Sequence, residues 1–117
     1  MLTGMEAALT GLQAYGTKMQ ATAHNVANLN TDGFKRTRVL MQESAAQGVE
    51  THVEQDMSPG AMVVEQGGQG EELREQSNSD LGNEFVEMMV TSHGYNANLK
   101  VLQTADSMLG SLLDIKA

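Results

Sequence analysis

Residues 24–36, HNVANLNTDGFKR, hold the densest group of potential ligand side chains in the chain. Asn28, Asn30, Asp32 and Gly33 occupy positions 1, 3, 5 and 6 of an EF-hand-like loop, the arrangement that would hold Ca²⁺ by oxygen. Position 12 then falls on Val39, where the bidentate carboxylate should be, and Lys35, Arg36 and Arg38 bring positive charge into the loop. Short polar side chains that bond the local backbone, with Gly33 supplying a positive φ where a helix stops, account for the residues better. His24, His52 and His93 lie in three different segments without an i, i+4 partner, so zinc would need a tertiary coincidence. The run QGGQG at 66–70 lacks the Lys-Ser/Thr of a phosphate loop, and there is neither a Cys nucleophile nor a G-x-S-x-G elbow. The residues therefore predict no catalytic group, no cofactor and no metal.

The elements around this stretch are better defined than any chemistry. Leu2, Met5, Leu9, Leu12, Gly16, Met19, Ala23 and Val26 recur at alternating spacings of three and four, the a/d rhythm of a helical seam. Residues 2–28 would make a rod of about 40 Å. Leu81, Phe85, Met88, Ser92, Tyr95, Leu99, Leu102, Asp106, Leu109 and Leu113 repeat the rhythm near the other end, broken by Ser92 and Asp106. Between the seams, 48–56 alternates with period 2 and 61–65 is again strand-like, which predicts a β-hairpin across Met57-Ser58-Pro59-Gly60. Residues 66–78 are Gly-, Gln- and Glu-rich without an apolar stripe and read as a mobile linker or one acidic turn. Asn78, Ser79 or Asp80 can cap the second helix.

The expected fold is mainly α: long N- and C-terminal helices paired as a coiled coil, with a small β-hairpin and an acidic linker between them. Its segments are 1–38, helix and turn; 39–78, hairpin and linker; and 79–117, the second helix. Glycines at 4, 11, 16, 82, 94 and 110 interrupt the helices. Each costs roughly 1 kcal/mol relative to Ala, so the helices are expected to order fully only when packed against other subunits.

Two Phe, two Tyr and no Trp leave little bulk for a globular core, which argues against a compact enzyme. Residues 1–38 carry four bases and two acids, 39–80 one base and nine acids, and 81–117 two bases and four acids; +2, −8 and −2 sum to the net −8. The acidic middle repels phosphate backbones, so nucleic acid is not an expected partner. No apolar run approaches a membrane span, so no membrane insertion is expected, and the N-terminus lacks the pattern of a cleaved signal peptide. Nine methionines provide flexible side chains able to pack against non-identical neighbours.

Asn25-Val26-Ala27-Asn28, Thr31 and Gly33-Phe34-Lys35, directly after a heptad helix, resemble the signature of the bacterial flagellar basal-body rod and hook proteins, the axial proteins. The C-terminal stretch is similar to that family as well, through Asp80-Leu81, Glu84-Phe85, Tyr95-x-Ala97-Asn98, Lys100-Val101, Gln103-Thr104-Ala105-Asp106 and Leu109. The resemblance covers about 75 of the 117 residues. It implies a rod subunit that self-assembles with other axial proteins and transmits torque from motor to hook. It also implies a place in the basal body across the periplasm and export by the flagellar type III apparatus without a cleaved signal. Residues 39–78 leave no room for a large inserted β domain, which places the chain nearest the short proximal-rod members. The other functional class compatible with these segments is a non-axial assembly or export-associated protein built from the same two helices.

Overall fold

The computed structural model describes residues 2–116; Met1 and Ala117, at the ends of the first and last expected segments, lie outside the described residues. The elements are α1 Leu2–Ala27, β1 Thr37–Glu43, β2 Val49–Gln55, β3 Met62–Gly67, β4 Gly70–Glu75 and α2 Leu81–Lys116. The helices stand where the heptad rhythm put them. α1 stops through local bonding: Asn28 Nδ2 donates back to the His24 carbonyl at 2.9 Å and Thr31 Oγ1 donates to Asn28 Oδ1 at 3.0 Å. Gly33 follows with φ +67°, a left-handed conformation that an L side chain resists. α2 starts on Asp80, whose carboxylate accepts from the Asn83 N–H at 3.1 Å, an N-cap at its third helical residue.

The two helices run antiparallel, as the pairs Lys18–Glu87, Gly11–Asn98 and Tyr15–Gly94 require. Their contact is built from small and polar residues. Ala8, Gly11, Ala14, Thr22 and Asn25 are the buried positions of α1; Glu84, Thr91 and Ala105 are those of α2. A Cβ at Gly11 would lie 2.6 Å from Asn98 Nδ2, and one at Gly94 would run into the Tyr15 ring, so these two glycines let the helices approach closely. On both helices the buried positions are rotated from the apolar stripes by roughly one residue, or about 100°. The large apolar side chains therefore flank the contact instead of filling it.

The strands form two antiparallel hairpins, not one. β1 pairs with β2 from Thr37↔Gln55 to Glu43↔Val49, and β3 with β4 from Met62↔Glu75 to Gly67↔Gly70. The expected pairing of 48–56 with 61–65 does not occur, and the supposed linker contains β4. Turn chemistry explains the difference. Gln47 and Gly48 take φ +67° and +103° and close β1–β2, while Gly68-Gln69, followed by Gly70 at φ +131°, closes β3–β4 in two residues. Pro59, with no N–H to give a ladder, lies in the connection between hairpins. β1–β2 rests along α1, where Val39 is buried and Thr10 Oγ1 accepts from the Val49 N–H at 3.1 Å. Both strands of β3–β4 are exposed almost throughout.

The molecule measures 82 × 25 × 17 Å, with a radius of gyration of 20.9 Å against about 13 Å for a compact chain of this length. Only Ala8, Ala14, Val39 and Ala105 are buried hydrophobics among the described residues. Its accessible surface is 8164 Å², against about 6,200 Å² for a compact monomer of this mass.

Candidate functional site

Two features stand out: a polar clasp where the chain leaves α1, and an open apolar face along the helix pair. The clasp begins at Asn25, 1% exposed. Its Oδ1 accepts from the Thr37 N–H at 2.8 Å and its Nδ2 donates to the Thr37 carbonyl at 2.8 Å. The carboxamide thus meets both backbone groups of Thr37 as a neighbouring strand would, and fixes the start of β1 on α1. Nδ2 also reaches Glu84 Oε2 at 3.3 Å, and Glu84, equally buried, has its other oxygen 3.1 Å from the Arg36 guanidinium. A buried carboxylate is tolerable only with such partners.

Asn78 closes the other side. Its Oδ1 accepts from the Arg36 N–H at 2.6 Å, and its Nδ2 donates to the carbonyls of Asp56 and Ser58 at 2.7 and 2.9 Å. Lys35 Nζ binds the Ser58 carbonyl at 3.0 Å and Glu75 Oε1 at 2.5 Å, and Glu75 also accepts from the Gly60 N–H at 2.9 Å. These bonds, led by the Lys35 ammonium, hold the Glu75 carboxyl below its ordinary range against the opposing effect of burial. Asp56 is lowered chiefly by the Ser58 hydroxyl, then by the Ser58 N–H, with Arg38 and Arg36 adding attraction. The clasp joins the end of α1, the roots of both hairpins and the start of α2.

Within the signature stretch, Asn25 is buried, Val26 and Asn28 are half-buried, and Ala27, Thr31 and Gly33 are exposed. Phe34 lies edge-on to His24 with ring centroids 5.4 Å apart. Asp32, a ligand in the calcium pattern, is instead ion-paired with Arg74 at 2.8 Å. Among the described residues no group of three or more His, Cys, Asp or Glu could hold a metal. The sequence did not single out Asn78, Arg36 or Glu84 as clasp members, because their partners are backbone groups and residues up to 59 positions away.

The apolar face comprises the stripe positions of both helices. Leu2, Leu9, Leu81, Phe85, Tyr95, Leu99 and Leu113 are all more than a third exposed, and Met5, Leu12, Met19, Val26, Met88, Leu102 and Leu109 are half-buried. At its centre is a groove of about 410 Å³ lined by Tyr15, Gly16, Met19, Gln20, Ala23, Thr91, Ser92 and Tyr95. Gly16, Met19 and Ala23 come from one stripe, Ser92 and Tyr95 from the other, so the two stripes converge on one side of the helix pair. No strand residue lines the groove. No helix among the described residues is long and apolar enough to cross a membrane.

An elongated helix pair with an uncovered apolar face, and little core of its own, has the form of a subunit made for assembly. Comparison with known sequences supplies the family. The family model described as "Flagella basal body rod protein" matches residues 5–35, and that described as "Flagellar basal body rod FlgEFG protein C-terminal" matches residues 72–115. The flagellar basal-body rod protein FlgG of Bacillus subtilis is 32% identical over 88 residues, 74% of this chain and 31% of that protein. FlgG of Agrobacterium fabrum is 39% identical over 57 residues, 44% of this chain and 22% of that protein. The flagellar hook protein FlgE of Treponema pallidum is 43% identical over 42 residues, 36% of this chain and 9% of that protein. The chain belongs to the flagellar basal-body rod and hook family, a family of structural proteins. Its matches span less than a third of the length of these relatives.

Proposed function

We propose that the chain is a structural subunit of the flagellar basal-body rod, which self-assembles with other axial subunits and passes torque from motor to hook. The observation that carries this reading is the open face: two apolar stripes, from the two segments that match the rod family, brought to one side of a rod-shaped molecule and left uncovered. A helix needs burial of its apolar face for most of its stability, and neighbouring subunits supply that burial. The stripe residues are the assembly seam, and coiled-coil packing forms along them with the helices of neighbours. The signature turn and the clasp hold the hairpins at a fixed angle to the helices, so that load passes through the chain without hinging. The flagellar type III apparatus exports the subunit, which then lies in the basal body across the periplasm, in a position like that of the short proximal-rod proteins. Cryo-electron microscopy of purified basal bodies tests this. Density for the chain in the axial helix, with its stripe face against other subunits, is the expected result. Its absence from the axis, with retention at the export gate, would favour the assembly-factor reading instead.

A further inference from the structure

The backbone of β1 is paired on one side only. The Arg36 carbonyl accepts from the Asp56 N–H at 2.9 Å and the Ser44 N–H donates to the Gly48 carbonyl at 3.0 Å, so the even-numbered Arg38, Leu40 and Gln42 turn their backbone groups to β2. Those of Thr37, Val39 and Met41 point to the free edge. Asn25 meets both groups of Thr37 with its carboxamide, as a third strand would. The outward groups of Val39 and Met41 have no hydrogen-bond partner among the described residues. That edge opens on a second groove, of about 370 Å³. Residues 36–40 line it and no residue of β2 does; the facing wall is Lys18 and Thr22 of α1 with Glu84 and Glu87 of α2. Every Cα of β1 stays more than 8 Å from those of α2, so the strand edge and the second helix bound a space that neither fills. No position of the apolar stripes lines this groove.

We infer that this groove takes an extended segment of a partner protein as a third strand on β1, a segment that alternates apolar and acidic residues. Open rungs at Val39 and Met41 are met by a polypeptide backbone lying about 4.8 Å from β1. The faces of β1 set the sequence of that segment. Val39 is buried toward α1 while Arg38 and Leu40 are exposed on the other face. Side chains of the added strand beside Val39 therefore turn to Ala21 and Thr22, where apolar ones fit, and those beside Arg38 turn outward. Charge decides the outward ones. Lys18, Arg36 and Arg38, three of the chain's seven Lys and Arg, line the groove against two acids, in a chain of net −8. Both acids are occupied, Glu84 by Arg36 and Asn25 and Glu87 by Lys18 at 3.0 Å. Arg38 reaches Glu54 and Asp56 only at 3.8 and 3.5 Å, too far for strong hydrogen bonds, and the buried Arg36 Nε–H has no partner among the described residues. The remaining donors select a carboxylate beside Arg38.

This groove lies apart from the assembly face, so the full chain in solution tests it whatever microscopy of basal bodies shows. Fluorescence anisotropy would follow a labelled synthetic peptide alternating valine and glutamate, beside a valine–lysine peptide and two glutamate peptides N-methylated at the valines or at the glutamates. The expected result is saturable binding of the glutamate peptide, weakened at least about tenfold by lysine in the peptide or by Arg38→Glu in the chain. Arg74→Glu, on β4 and outside the groove, should leave it unchanged. A strand edge uses alternate nitrogens, so one methylated peptide should lose binding at least about tenfold while the other keeps it. The methylated peptides are read on the wild-type chain and keep the test valid if circular dichroism shows Arg38→Glu misfolded. A glutamate peptide that does not saturate, or one that binds after either methylation alike, would overturn the third strand. Equal binding of the lysine peptide would overturn the acidic occupant, and displacement by free glutamate at matched concentration would leave an anion site only. Self-association of the chain that the peptide competes away would put a second copy in the groove and overturn a separate partner.

Discussion

At the scale of single residues, the most constrained side chain is Asn25, because it replaces a strand edge for Thr37 and shares a buried contact with Glu84. Asn25→Ala should cost about 1–3 kcal/mol in urea unfolding, since it leaves both backbone groups of Thr37 and one Glu84 oxygen without their partner. Asn25→Asp should be worse, for a carboxylate cannot donate and would face Glu84 as a like charge. If alanine proves neutral, the clasp does not position β1. Gly33 provides a second residue-level case. Its surroundings are empty, so Gly33→Val meets no clash and carries only the conformational cost of φ +67°, about 1–2 kcal/mol. Motility should fall while secretion of the variant persists, and normal swimming would show that the turn is not constrained. Acid provides a third. Glu75 and Asp56 have folded pKa values below their ordinary 4.5 and 3.8, so the unfolded chain binds the extra protons there and both groups stabilise the fold above those values. That contribution should be lost as pH falls from about 4.5 through the depressed values, and Glu75→Gln should flatten the stability profile over that window.

At the scale of elements, both helices were legible because a seam sustained over several heptads is a long-range periodic signal. The contact joining them was not. It is made by Ala8, Gly11, Ala14, Thr22, Glu84 and Thr91, small or polar residues that hydropathy patterns ignore, and it is specified by shape. The hairpins were half legible for a different reason. β2 and β3 read as strands, but β1 has Val39, Leu40 and Met41 in succession, without alternation, and β4 is Glu-rich and exposed on both faces. What identifies both missed strands is a tight turn beside each, at Gln47-Gly48 and Gly68-Gln69. The signature asparagines were legible as local caps, whereas the long-range bonds of Asn25 and Asn78 depend on folding that no spacing reveals. The helix contact makes its own prediction through Gly94, which faces the Tyr15 ring, and Gly16, which faces open space. Gly94→Val drives a side chain into Tyr15 and should lower thermal stability by an amount equivalent to about 1–3 kcal/mol, whereas Gly16→Ala should raise it. Equal effects at the two sites would mean that the helices do not approach at Gly94.

At the scale of the whole molecule, the surface proposed for assembly is also the one whose burial would stabilise the helices. The four buried hydrophobics among the described residues, three of them alanines, do little to offset the entropy of ordering 62 helical residues, those of α1 (26) and α2 (36). The polar clasp adds direction but little net energy, because each bond replaces one to water. Much of the apolar area that could stabilise the helices lies on the open face, where on the proposed function a neighbour would bury it. The isolated chain at low concentration should therefore exchange its amide hydrogens readily across α1 and α2, with the slowest exchange near Asn25, Thr37 and Glu84, where the clasp and the helix contact coincide. In the assembled rod both helices should become strongly protected, beginning with the groove positions Gly16, Met19, Ser92 and Tyr95. Hydrogen exchange with mass spectrometry, on dilute chain and on basal bodies, measures both states. Strong protection along both helices in a verified monomer would show that the small-residue contact alone sustains them, and folding would then have to be separated from assembly.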